Sequence, residues 1–192
     1  MPNHKLRSQR RVLEQCAALR HEVTDALQAA GTGDAAAIDA VWRGEALGTL
    51  LWALELKELP PYDTPFATQE VIAADLSGAR LRAARDIELE LDAVRLWHWR
   101  ARTTLLQGAG GAELPGQYST FDQLVGATAM RGYEQGALPS PLRGDFRAFG
   151  KVYKQLSEAQ HAEAHSIAYE RHHALAWLCG AGKSWDDVTL DT

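Results

Sequence analysis

From Ser157 to Cys179 the chain contains neither proline nor glycine, and Gly180 and Gly182 follow at once. A stretch of that length without a breaker satisfies its own backbone best as an α-helix. Ser157 is placed to cap its start, because a serine hydroxyl accepts from an N–H that the first turn leaves unpaired. Gln160 sits three residues on and completes a capping-box pattern. The glycines supply the stop, since they tolerate the left-handed backbone that follows many helix ends. At about 100° per residue, Ala164, Ile167, Ala168, Ala174, Leu175 and Leu178 fall on one arc. That arc is the core-facing stripe, and Arg171 projects from inside it. A guanidinium there needs a carboxylate or several carbonyl oxygens, because an unpaired buried charge is costly.

The same helix carries four of the seven histidines. His161, His165 and His172 lie within roughly 40° of one another and form a second stripe beside the apolar one. Two imidazoles four residues apart on a helix can share a metal, with His172 as a third ligand two turns on, so these three are candidate ligands for a divalent cation. The competing reading makes them ordinary hydrogen-bonding residues on a boundary face. Glu163 lies at the wrong offset for the His-Glu-x-x-His signature of zinc proteases. No cofactor follows from any motif.

The 192 residues suffice for a single domain, here residues 1–192, and 46% hydrophobic with 23% charged residues is ordinary for a globular chain. A formal charge of −5 argues against nonspecific nucleic-acid binding by the domain as a whole. The exception is the basic N-terminal tip, Lys5, Arg7, Arg10 and Arg11, which could meet phosphate or an acidic partner. No apolar run reaches membrane-spanning length, and the N-terminus lacks the features of a signal peptide. The expected compartment is the cytoplasm. Cys16 and Cys179 both lie in apolar helical settings, and a disulfide between them is not expected.

Taken in order, Val12, Cys16, Leu19, Val23 and Leu27 recur at helical spacing over about Leu6 to Ala30. Gly31 to Gly33 break that helix, and Asp34 can cap the next. Ile38, Trp42, Leu47, Leu50, Leu51 and Leu54 mark a second helix, with Trp42 and Trp52 as large buried anchors. Gly44 and Gly48 suit close approach of another helix. Pro60, Pro61 and Pro65 make a rigid connection to a short helix over Thr68 to Leu76. The longest helix is predicted over Ala79 to Leu106, with Ala84, Ile87, Leu91, Val94, His98, Ala101 and Leu105 on its inner face. Arg85, Glu88, Asp92, Arg95 and Arg102 form a ladder of charges opposite. His98, alone on an apolar face, must find a partner.

A glycine-rich loop runs from Gln107 to Tyr118 and lacks the ending of a phosphate loop. Thr120 can cap a helix to about Tyr133. Residues Gly136 to Leu156 are irregular, with Phe146, Phe149, Val152 and Tyr153 able to pack onto the body or form a short hairpin. The tail after Lys183 offers Trp185 and Val188 as anchors, and Asp186, Asp187 and Asp191 as acceptors for helix N-termini or for an arginine such as Arg171.

Three stretches have a likeness to a known family: YERHHALAWLCG (Tyr169–Gly180) followed by WDDVTLDT, WRGEALGTLLWAL (Trp42–Leu54), and LRAARDIELELDAVRLWHWRAR (Leu81–Arg102). Together they resemble the bacterial family called domain of unknown function 4272, over most of the chain beyond about residue 35. Trp42, Glu45, Trp52, Asp92, Trp99, Glu170, Arg171, His172, Trp177 and Trp185 sit in the stretches that carry the likeness. The resemblance implies a mainly helical, cytoplasmic bacterial domain and assigns no activity and no site residue.

These readings converge on an all-α fold, a single bundle of about five to seven helices with an irregular segment before the last long helix. Glu45, His98, Glu170, Arg171 and His172 are the polar residues sent toward the core. They form either a ligand or catalytic site or an ion-pair network that locks three helices together. With no nucleophile motif or phosphate loop, the leading expectation is a non-enzymatic module that binds a protein partner, in an accessory or immunity-like role. A small-ligand site at the five polar residues and a divalent-metal site at His161, His165 and His172 are the alternatives.

Overall fold

Apolar periodicity dominates the chain, and the architecture follows it. The structure, a computed structural model, describes residues 5–29, 35–108 and 114–190, with backbone only for 35–39. Among the described residues there are six α-helices: α1 (Gln9–Ala29), α2 (Ala35–Ala53), α3 (Thr68–Ile72), α4 (Ala84–Gly108), α5 (Phe121–Glu134) and α6 (Glu158–Leu178). Strands β1 (Arg147–Ala148) and β2 (Lys151–Val152) pair antiparallel, with Arg147 opposite Val152 and Ala148 opposite Lys151. The all-α expectation holds. The predicted break at Gly31 to Gly33, the Asp34 cap, the Ile38 side chain and Asp191 fall outside the described residues.

Helices α4 and α6 lie side by side, with α2 against α6 and α1 against α2. Two apolar clusters result. One gathers Val12, Cys16 and Leu19 of α1, Leu47, Leu50 and Leu51 of α2 with Leu54 just past its end, Ile87, Leu91 and Val94 of α4, and Leu175 to Leu178 of α6. The other joins Trp97 and Ala101 of α4 to Val125 and Ala129 of α5, Phe146 and Tyr153 near the hairpin, and Ala164 and Ala168 of α6. Both central helices therefore run through both clusters, and His98, Arg171 and His172 are buried where one gives way to the other.

Local chemistry sets the boundaries. Ser157 and Gln160 form the full capping box expected of them, and Thr120 caps α5 by accepting from the Gln123 N–H at 3.2 Å. Helix α4 starts at Ala84 rather than Ala79. The preceding segment is extended because the Arg80 and Arg82 N–H groups bond the Leu54 and Ala53 carbonyls at 3.0 and 2.8 Å, the oxygens that the end of α2 leaves open. The Arg82 side chain adds a bond to the Trp52 carbonyl at 2.9 Å and lies over that indole. The hairpin turns through Phe149 and Gly150, both left-handed (φ 51° and 70°), the pattern of a two-residue turn. An Asp63 carboxylate accepts from the Phe149 N–H and holds that uncommon conformation.

The basic N-terminal tip is answered largely from within. The Arg7 N–H donates to the Leu178 carbonyl at 2.9 Å. Its side chain donates to the Trp177, Gly182 and Ala181 carbonyls at 2.7, 2.8 and 3.1 Å. One cation thus closes the negative end of α6. Arg10 and Arg11 pair with Glu14. Cys16 and Cys179 are buried free thiols.

One of the two tryptophan anchors differs from expectation. Trp52 is buried, but Trp42 is only half-buried and lines a surface hollow. Gly48 admits the Phe66 ring from the loop after α2, and Gly44 faces Thr68 at the start of α3. A Cβ on Gly48 would stand 2.4 Å from the Phe66 ring, whereas one on Gly44 would meet Thr68 at an ordinary 3.5 Å. Gly48→Ala is therefore expected to displace Phe66 and lose about 1–3 kcal/mol of stability. Gly44→Ala should be neutral or gain up to about 1 kcal/mol from helix propensity. Urea unfolding of the two variants checks the contrast, and equal losses at both positions would count against the Phe66 contact.

Candidate functional site

Arg171 is fully buried and Glu45 is 3% exposed. The Arg171 Nε donates to Glu45 Oε2 at 3.0 Å. Nη1 donates to the Pro60 and Pro61 carbonyls at 2.7 and 3.4 Å, and Nη2 to the Thr64 carbonyl at 2.9 Å. The other Glu45 oxygen accepts from the Phe66 N–H. Every nitrogen of the guanidinium is engaged, and the rings of Tyr62 and Phe66 lie 5.1 and 5.2 Å from it. Burial pushes the Glu45 carboxyl above its ordinary range, and Arg171 with the Phe66 N–H pulls it partly back. The acid that answers Arg171 is thus Glu45. The tail does not supply it: Asp187 accepts from the Ser184 N–H at 2.9 Å instead.

The network extends through Tyr62. Its hydroxyl donates to Glu90, and its ring stacks on Trp97 at 5.1 Å with planes 13° apart. Burial raises the Glu90 carboxyl, and burial with the nearby Glu90 charge holds the Tyr62 phenol well above its usual value.

On the other side of α6, His172 meets His98 of α4. Their Nδ1 atoms are 2.9 Å apart, so one ring donates and the other accepts. The His165 and Tyr169 rings stand 5.7 and 5.6 Å from His98. Burial, reinforced by His165 and Arg102, pushes His98 down to about 4. Burial, reinforced by His98, Arg95 and His173, pushes His172 down to about 3.

The five inward polar residues therefore do not form one constellation. Arg171 joins Glu45, His172 joins His98, and Glu170 lines a hollow of about 290 Å³ with Trp42, His165, Ser166 and Tyr169. The proposed metal trio does not converge either. His161 faces the Tyr153 ring at 5.2 Å, His165 lies against Tyr169 and His98, and His172 is bonded to His98. Among the described residues no three His, Cys, Asp or Glu side chains are placed to hold a metal ion, because two turns of helix separate His165 from His172.

A second buried ion pair escaped the sequence reading. Arg100 donates from Nε and Nη2 to the two oxygens of Asp145, at 2.7 and 2.9 Å. Its remaining nitrogen donates to Thr104 Oγ1 at 2.6 Å, and its guanidinium lies 4.6 Å over the Tyr153 ring. Asp145 also accepts from the Phe146 and Lys154 N–H groups. The signal was present in the spacing: Glu90, Trp97, Arg100 and Thr104 share a second face of α4 at offsets of seven, three and four.

A cavity lies between the end of α4 and the start of α6. It measures about 510 Å³ and is lined by Ala101, Thr104 and Leu105 with Glu158, His161, Ala162 and His165. His165 borders both it and the smaller hollow, so the two are neighbours along α6. The His161 Nδ1 is buried without a hydrogen-bond partner. Leu105, expected on the inner face of α4, is 62% exposed at the rim.

Comparison with known proteins adds no likeness: no family model matches the chain, and no curated protein or solved structure matches it.

Two outcomes follow. Arg171→Leu strands Glu45 and three loop carbonyls, and should cost about 3–5 kcal/mol, read as a lower urea midpoint. Replacing both Arg171 and Glu45 with leucine should recover part of that loss. The second concerns pH. An unfolded histidine takes a proton near pH 6.5, whereas His98 and His172 resist it to about 4 and about 3. Their contribution to stability is complete above pH 6.5 and is lost as pH falls through that window. The urea midpoint should drop steadily from pH 7 to pH 5, and His98→Asn should flatten the slope. An unchanged slope would remove the pair from the explanation.

Proposed function

We infer that this chain is a non-catalytic binding domain whose recognition site is the groove between α4 and α6. The observation that carries this reading is a division of labour. The cavity of about 510 Å³ falls in the size range of small-molecule sites, while the buried pairs Arg171–Glu45, Arg100–Asp145 and His98–His172 are bonded to one another. Arg171 has no nitrogen left for a substrate. The Cys16 and Cys179 thiols are held protonated by burial, with values raised to about 12 and about 11, which disfavours a nucleophilic role. The resemblance to a helical bacterial family is compatible with this reading and neutral on the ligand.

A second reading is favoured by one feature of the rim. Leu105 lines the cavity and is 62% exposed, and its chain neighbour Leu106 is 45% exposed, which suits a protein partner that inserts an apolar side chain. An accessory or immunity-like role would use the groove in this way.

A melting screen against small metabolites, run on the wild type and on Ala162→Trp, tests the first reading. Ala162 is exposed on the cavity wall, so tryptophan there fills space without entering the core. A true ligand at a hundredfold excess over its Kd adds about 2.7 kcal/mol, a rise of several degrees, and the filled variant should not respond. Ligands that stabilise both proteins equally would move the site elsewhere, and turnover of a bound compound would overturn the non-catalytic reading. A photo-crosslinker at Leu106 that captures one discrete protein, in a manner lost in Ala162→Trp, would instead favour the partner-protein reading.

A further inference from the structure

The groove has a polar interior that no side chain of this protein answers. His161 and His165 are one turn apart on α6 and face the same cavity. Neither imidazole lies within salt-bridge distance of a carboxylate among the described residues. The contacts of His161 and His165 are aromatic: Tyr153 for the first at 5.2 Å, and His98 and Tyr169 for the second at 5.7 and 6.2 Å. The Nδ1 of His161 is shut off from water and has no hydrogen-bond partner. The positive charge of Arg102 on α4 acts on His165, whereas at His161 the charge of Arg100 is opposed by that of its partner Asp145. His161 also lies in the first turns of α6, where the helix dipole is positive. The one acid on the wall, Glu158, is exposed on the rim, where water and salt screen it. The rest of the wall is mostly apolar: Ala101 and Leu105 of α4, beside Thr104, and Ala162 of α6.

We propose that the groove takes a small carboxylic acid with an apolar body, its carboxylate held by His161 and His165 and its body by Ala101, Leu105 and Ala162. The proposal rests on the groove being the recognition site and adds the class of ligand. Recognition is charge-assisted: each ring donates to a carboxylate oxygen, a stronger bond than the one a neutral amide oxygen accepts. The apolar wall selects for the body, and the volume admits a fused bicyclic ring.

Naphthylacetate and naphthylacetamide form the test pair, since they share shape and differ in charge. Binding to the full chain is followed by NMR of the histidine rings and of the Ala101 and Ala162 methyl groups. The acid should bind about tenfold tighter than the amide and should move the His161 and His165 ring signals. His161→Gln and His165→Gln should abolish that preference while leaving the melting temperature and the weaker amide binding in place. Equal affinity for the two probes, or a preference that survives both substitutions, would overturn the ligand class and leave the groove standing. If neither probe shifts the groove signals at millimolar concentration, the proposal and the groove reading fall together.

Discussion

A guanidinium buried in a helical bundle is the constraint around which this fold is arranged. Removing Arg171 from water costs several kcal/mol, and one carboxylate alone would not offset it. The protein answers with Glu45 from α2 and three carbonyls from the connection after α2. The same bonds fix a proline-bearing segment that has no secondary structure of its own. Pro60 and Pro61 have no N–H to bond elsewhere, so their carbonyls are the useful groups they offer. Gly48 completes the arrangement by letting Phe66 press against α2 closely enough for its N–H to reach Glu45. One arginine therefore joins α6, α2 and a loop at a single point.

That point lies at a waist. The apolar clusters above and below it are separate groups of side chains, and only α4 and α6 run through both. Hydrophobic contact is non-directional and would tolerate rotation or sliding of two such helices. The bonds at the waist are directional. Arg171 with Glu45 sets α6 against α2, His98 with His172 sets α6 against α4, and Arg100 with Asp145 sets α4 against the hairpin segment. Each pair fixes a different neighbour, so together they favour one register over the alternatives.

How much of this was legible in the sequence depends on how local the cause is. The capping box at Ser157 and the cap at Thr120 are contacts within four residues, and both could be read directly. Arg171 stood out because it interrupts a regular apolar arc, and that alone demanded a buried acid. The partner's identity needed only Glu45's place on the inner side of a neighbouring helix. The loop carbonyls were illegible, since a backbone oxygen carries no residue signature. The late start of α4 was hidden for a related reason: residues Ala79 to Ala83 suit a helix locally, but the open carbonyls of α2 capture two of their N–H groups. Arg100 and Asp145 were missed because a single inner face was assumed for α4. A helix at the centre of a bundle is covered on more than one side, and its second face, with Trp97, carries its polar residues inward too.

The closure of these pairs also bears on what the molecule can do. A general base needs a lone pair within reach of a substrate, and an anion-binding arginine needs a free nitrogen. His98 and His172 spend their facing nitrogens on each other, and Arg171 spends all of its donors on this chain. Chemistry at those residues would first require breaking bonds that hold the helices in place. His161 and His165 differ because they stand where α4 and α6 no longer cover one another, beyond the last buried pair. Their rings are packed against aromatics, which fixes orientation, but their nitrogens are not consumed by acids. Rigid, oriented and unanswered polar groups beside an apolar wall are the ingredients of recognition. The bonds that hold the waist closed keep them in position.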